Sequence, residues 1–418
     1  MADHADIREF PAAQLPTANY GPGFDMLNGI RVLDLSTSIA GPYSAMLLGD
    51  MGADVIKVER PGGDDARAWG PPFLDAQSLW FISVNRNKRS IVLDYAAPKG
   101  LSALRDLVSC CDIVIVNTPA RVTKKLGIDP ETLRALNPRL VYVSITGFGM
   151  EGERADWPCY DLIAEGYSGV MDVTGEITGE PQKVGAPAAD MLAGQDAAFA
   201  ATAALLRRMS TGTGGCVDVA LVDSMVRFLA CRVVAHLGCG EVPRRSGGKD
   251  SVIAIYQSFQ TADHPVTLGL GNDNIWERFW DVLGSPEFGS SSRFSTNAKR
   301  REARPEIVAA IQEILLTQTR AHWLSLFRKA RIPAGPINRI DEVAADRELQ
   351  QRGLFYSLRS EGGLIPQVGT GIRIDAEANF ARLPPPKLGE HTDEVLRELL
   401  GYDDQQIAAL HGGEGTER

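Results

Sequence analysis

One carboxylate interrupts the small apolar residues of VGAPAADMLAGQDAAFAATAALLRR (184–208): Asp190, where a Gly/Pro/Ala segment gives way to an Ala/Leu-rich helical run. Two chemistries suit an acid there. It can cap the helix, accepting backbone N–H bonds at the positive end of the dipole. It can also be a nucleophile on a rigid element, with small neighbours leaving room for a substrate. Capping aspartates far outnumber catalytic ones, so these residues alone favour the cap. Cationic side chains gather in three groups: Arg60; Arg86, Lys88 and Arg89 in VNRNKRS; and Lys124 and Lys125 beyond DIVIVN. Each follows a strand-like run or its adjacent loop, and parallel sheets bind ligands at their carboxyl edge, so together they suggest a phosphate-binding rim. Singly, each suits a solvated surface.

Other chemistries lack their residues. The turn after the first strand-like run has no G-x-G-x-x-G, and GLGNDN (269–274) comes too late and lacks a third glycine, which argues against a nicotinamide or flavin dinucleotide. G-x-x-x-x-G-K-[ST], H-E-x-x-H and G-x-S-x-G are missing. The six histidines, at 4, 236, 264, 322, 391 and 411, have no ligand spacing, so no metal is expected. The six cysteines form no C-x-x-C pair, which suggests neither zinc nor a disulfide framework and favours a reducing cytoplasm.

The elements that must position Asp190 alternate in type. IRVLDLS (30–36), ADVIKVE (53–59), SIVLDY (90–95), DIVIVN (112–117) and LVYVSITGFG (140–149) read as strands, with helical stretches such as GPYSAMLLGDMG (41–52) and PKGLSALRDLVSCC (98–111) between them. Apolar strands separated by helices indicate a parallel sheet covered on both faces. GGCVDVALVDSMVRFLACRVVAHL (214–237) adds a strand and a helix; the Gly- and charge-rich 238–251 reads as a linker with a loop, and a smaller strand–helix unit follows. The expected organisation is an N-terminal tail (1–26), a large α/β domain in two parts (27–237 and 331–418, the second ending in a helix), and an inserted linker and small α/β domain (238–330).

The 418 residues are enough for two or three domains, and 44% apolar with 23% charged residues is ordinary for a globular enzyme. A net charge of −10 disfavours nucleic acid as a partner, yet permits a small polyanion where cations gather locally. No apolar run is long enough to span a membrane, and the first residues lack the apolar core of a secretory signal.

Several stretches together, LNGIRVLDLSTSIAGPYSAMLLGDMGADVIKVERPGGDDARAWGPPF, SVNRNKRSIVLD, YDLIAEGYSGVM, GAPAADMLAG, TGTGGCVDVALVDS, IPAGPIN and PPPKLGEHTDEVL, make the chain resemble the class III CoA-transferases, in order from about residue 27 to 410. Its motifs are nearest to the succinyl-CoA–glutarate branch. The resemblance implies a Rossmann-like large domain, a small domain, and a homodimer of two chains threaded through each other as interlocked rings. It places Asp190 on the catalytic aspartate, with capping as a compatible second task. No permanently bound cofactor is implied; an acyl-CoA thioester is the substrate, with a carboxylic acid as acceptor.

For the CoA, the resemblance implicates Thr37, Ser38, Ile39 and Ala40 in the turn after the first strand, Arg60 near the adenosine 3′-phosphate, Asn117, and Lys125 where the family has Arg. Gly247 and Gly248 in RRSGGKDS are candidates for the loop that shields the site, with an ordinary linker as the other reading. The acceptor is expected to be a short dicarboxylate. Its distal carboxylate needs a partner before entering a dry pocket, and Arg86 is the candidate fork, with Arg67, Lys88 and Arg89 as competitors. Two alternatives stay in view: an α-methylacyl-CoA racemase of the same fold, whose His is replaced here by Tyr160, and a non-catalytic CoA-binding protein.

Overall fold

The computed structural model describes residues 11–360 and 362–411. The expected tail over 1–10 and the end of the second large-domain part, 412–418, lie outside the described residues. The chain forms two compact units, one of Met1–Val170, Val184–Val234 and Ala344–Arg418, the other of Met171–Lys183 and Ala235–Val343.

In the first unit, six strands make one sheet: β1 (Arg31–Asp34), β2 (Asp54–Glu59), β3 (Lys88–Val92), β4 (Ile113–Val116), β5 (Val141–Thr146) and β6 (Gly215–Ala220). Every neighbouring pair is parallel and the order is β3-β2-β1-β4-β5-β6. This is the doubly wound order, in which the direction of winding reverses between β1 and β4 and opens a crevice at their carboxyl ends. Alternate residues of each strand feed opposite faces. Val32, Val55, Ile113 and Val143 pack under α1 (Ala40–Asp50) and α5 (Ala188–Thr211), and Leu33, Ile56, Val114 and Tyr142 pack under α2 (Pro98–Ser109). Both faces of the central strands are thus buried, which is why β4 reads as the unbroken apolar run Ile-Val-Ile-Val.

The Ala-rich character of α5 comes from this packing. Ala189, Ala193, Ala197 and Ala201 are fully buried, and a Cβ on Gly194 would lie 2.5 Å from the Ala40 carbonyl oxygen of α1. The small residues let two helices approach closely; the expectation that they make room for a substrate is corrected accordingly.

Two further differences concern boundaries. Residues 17–18 of the expected tail pair in parallel with Ser357 and Leu358. Ala334–Pro336, expected in the large domain, is instead the edge strand of a three-stranded antiparallel sheet with Tyr256–Phe259 and Val266–Gly269, in the second unit. That unit has its own core, in which Trp276, Phe279, Trp280, Phe294 and Phe327 pack with Ile307 and Ile311. Among the described residues no helix is long and apolar enough to cross a membrane.

Candidate active site

At the crevice between β1 and β4 lies a cavity of about 320 Å³. Its walls come from the carboxyl ends of the strands and the first turns of the helices: Thr37, Ser38 and Ala40 after β1, Asn117 after β4, Thr146 and Gly147 at the end of β5, and Asp190 on α5. Trp69, Trp157, Cys159 and Tyr160 are also on the wall. A concave site of a few hundred Å³ with a small number of convergent polar groups is what a small ligand needs.

Asp190 is the third residue of α5, whose N-cap is Pro187. The expected capping task falls to another side chain: Asp161, the first residue of α4 (Asp161–Ser168), accepts the N–H groups of Ala189 (2.8 Å) and Asp190 (3.3 Å) through Oδ1. The Asp190 carboxyl is left facing the cavity. Partial burial, with the nearby Asp161 charge adding to it, pushes its pKa up from 3.8 to about 7. The carboxyl therefore titrates near neutral pH, well above the ordinary aspartate range. A carboxylate of raised basicity is the better nucleophile once ionised.

The turn after β1 is held by side chains. Asn117 spans Thr37, accepting its N–H (3.1 Å) and donating to its carbonyl (2.7 Å). Asp64 accepts the Ser38 N–H (3.0 Å), Asp34 accepts the Ser36 N–H (3.0 Å), and Lys57 donates to the Ser36 carbonyl (3.0 Å). Ile39 is buried at the N-cap of α1 and is not a wall residue. A Cβ on Gly41 would lie 2.2 Å from the Ser36 side chain, so this glycine serves the close approach of helix and turn.

Arg60 is exposed, donates to the Gly63 carbonyl (3.0 Å) and pairs with Asp65, itself a wall residue. Lys125 is exposed on α3 (Ala120–Leu126), which follows the wall residue Pro119. Tyr160 is 73% exposed at the N-cap of α4 and stands on the wall. Gly247 takes a left-handed φ of 62° and donates to the Gly175 carbonyl (3.0 Å); Gly248 borders a separate cavity of the second unit.

Arg86 is not on the wall. Its guanidinium is buried and forks onto Asp50 (2.9 and 2.6 Å), with further bonds to Gln367 and the Val368 carbonyl. The expectation that it pairs a substrate carboxylate is corrected: it is buried off the wall, and Asp50, Gln367 and Val368 take four of its five N–H donors. Its competitors are likewise committed, Arg67 to Glu59, Lys88 to Asp34, and Arg89 to Asp54, Glu394 and Glu398.

The profile of CoA-transferase family III matches residues 27–392. A succinate–glutarate CoA-transferase of Agrobacterium fabrum is 41% identical over 381 residues, covering 89% of this chain and 95% of that protein. The chain belongs to CoA-transferase family III. A succinyl-CoA:glutarate CoA-transferase of Homo sapiens is 35% identical, covering 92% of this chain and 88% of that one. A crystal structure of a CaiB/BaiF family protein from Brucella suis superposes with a TM-score of 0.79 at 38% identity, over 89% of this chain and 99% of that one. As a class III CoA-transferase, the enzyme takes a CoA thioester and a carboxylate as substrates.

Two groups of this transferase escape the residue-level reading. Asp161 follows Tyr160 directly in CYDLIAEG, yet its bond to α5 spans 28 residues of sequence. Asp64 lies in ERPGGDD, where only the second of two adjacent acids is exposed enough to pair with Arg60.

Proposed function

We propose that the enzyme moves CoA from succinyl-CoA to glutarate, or to another short dicarboxylate, through covalent intermediates on Asp190. The observation that carries this is the Asp190 carboxyl on the wall of a cavity at the sheet's switch point; the relatives named as succinate–glutarate CoA-transferases supply the acids. Asp190 Oδ attacks the thioester carbonyl, the C–S bond breaks, and a mixed anhydride and CoA thiolate result. The thiolate then attacks the aspartyl carbonyl, releasing succinate and leaving an aspartyl-CoA thioester. The acceptor carboxylate attacks that thioester to form a second anhydride, and the thiolate takes its acyl group, freeing Asp190. Splitting the transfer this way keeps the energy of the thioester. Two-base racemisation would need a second base, and none of the residues lining the cavity is a histidine.

Thr37, Ser38 and Asn117 border the thioester end in this reading, and Arg60 and Lys125 bind the phosphates. The acceptor's distal carboxylate is left to a group other than Arg86. An interlocked homodimer completes the proposal, supported by a row of exposed apolar side chains on α5: Phe199, Leu206 and Met209. Surfaces of that kind mark association sites.

The test is an assay with succinyl-CoA and glutarate, followed by intact mass after incubation with succinyl-CoA alone. A CoA adduct that maps to Asp190 and vanishes in Asp190→Ala is expected. Wild-type activity in that variant overturns the mechanism.

A further inference from the structure

Four charged side chains are buried behind the turn after β1. Asp34, Lys57 and Lys88 have no exposure and Asp64 has 2%. Lys88 pairs with Asp34 (2.9 Å), and Lys57 pairs with Asp64 (2.8 Å) and more distantly with Asp34 (4.0 Å), so two cations face two anions. Burying such a set is costly, and apolar residues of similar size would stabilise a core at least as well. The set must therefore be read by what it holds.

It holds the turn. The N–H and C=O of Ser36, those of Thr37 and the N–H of Ser38 are each bonded to Asp34, Lys57, Asn117 or Asp64. Ser38 is the residue this restrains most, because its φ of 69° lies in the left-handed region that a side chain disfavours. In a dinucleotide-binding fold the matching turn uses glycines and offers its amides to pyrophosphate. Here those amides are taken by side chains, and Thr37 and Ser38 stand on the wall of the Asp190 cavity.

We propose that Asp64 is a positioning residue of the transferase: anchored by Lys57, its carboxylate holds Ser38 in the left-handed conformation and so shapes the wall of the cavity that contains Asp190. The proposal rests on that cavity being the reacting site.

The experiment compares two charge-balanced double variants, Lys57→Met/Asp64→Asn and Lys57→Met/Asp64→Leu. Each removes one cation and one anion, so neither strands a buried charge. Only Asn keeps an acceptor for the Ser38 N–H and for the Ala66 N–H, which the same Asp64 oxygen also accepts (2.9 Å). With both variants folded by circular dichroism at the assay temperature, kcat of the Leu pair should be about tenfold or more below that of the Asn pair, since small misplacements at a reacting centre have effects of this size. The KM for acyl-CoA should differ by no more than roughly threefold, because the phosphates are bound elsewhere. Equal kcat in the two variants overturns the proposal, as does a loss confined to KM. If the Leu variant does not fold, Asp64→Thr against Asp64→Val on the same Lys57→Met background repeats the comparison, with a hydroxyl acceptor against an isosteric methyl. Asp190→Ala is assayed alongside: its activity would overturn the covalent mechanism and leave the Asn–Leu comparison readable on the transfer that remains.

Discussion

On the proposed mechanism, Asp190 carries opposing demands from stability and chemistry. Its pKa is held near 7 by burial and by Asp161. The folded protein therefore binds a proton there between about pH 4 and 7 that the unfolded chain releases, and stability falls as pH rises through that window. Above pH 7 the ionised carboxylate costs the fold about 2–4 kcal/mol. Asp190→Asn should accordingly raise the melting temperature by several degrees at pH 8, leave it unchanged near pH 4, and abolish transfer; thermal melts at the two pH values check this. In the wild type, kcat/KM should rise as pH passes through about 7 and then level, a limb that Asp161→Asn should move to lower pH while keeping the cap of α5. Arg86 illustrates the reverse case. Because its fork is spent on Asp50, Arg86→Ala strands a buried carboxylate and should destabilise by about 3–5 kcal/mol, without changing the preference for a dicarboxylate over a monoacid of similar reach in the protein that remains folded. A lost preference would return Arg86 to the substrate.

At the scale of elements, α5 does two tasks with one composition. Its buried alanines and Gly194 bring it against α1, and that contact places Asp190, on the first turn, beside the turn that precedes α1. Gly194→Val pushes a branched side chain into the Ala40 carbonyl. Overpacking of this kind costs about 1–3 kcal/mol, and kcat should fall with the melting temperature because the two helices frame one cavity. A substitution on the exposed face of the same helix, away from Phe199, Leu206 and Met209 and from Thr202 with its bond to the Ala198 carbonyl, should leave kcat unaffected. Kinetics and melts on Gly194→Val separate the packing role of the small residues from a substrate-space role, in which a larger side chain would alter only the choice of acid.

For the whole molecule, Phe199, Leu206 and Met209 are exposed on a single chain, and the proposed dimer would cover them. If two chains are interlocked, dissociation requires unfolding, so sedimentation on dilution should show no folded monomer, and denaturant midpoints should rise with protein concentration. A folded monomer at low concentration would remove the interlocked topology and leave the doubly wound unit as it stands.

The parallel α/β unit was legible in one dimension, and Asp190 stood out there, although as a cap. A strand buried on both faces can be apolar throughout, as Ile113–Val116 is, and a lone acid among small residues at a helix start stands out without any partner in view. The resemblance added the family. Which groups meet was settled by packing. Asp50 meets Arg86 across 36 residues, Asp161 reaches the amides of α5 across 28, and Ala334–Pro336 joins a sheet far earlier in the chain. A charge in a one-dimensional pattern reads the same whether it faces solvent, a ligand or a buried counter-ion. Its role follows from the desolvation it suffers and the group that compensates it, and both of those are set by how distant segments pack.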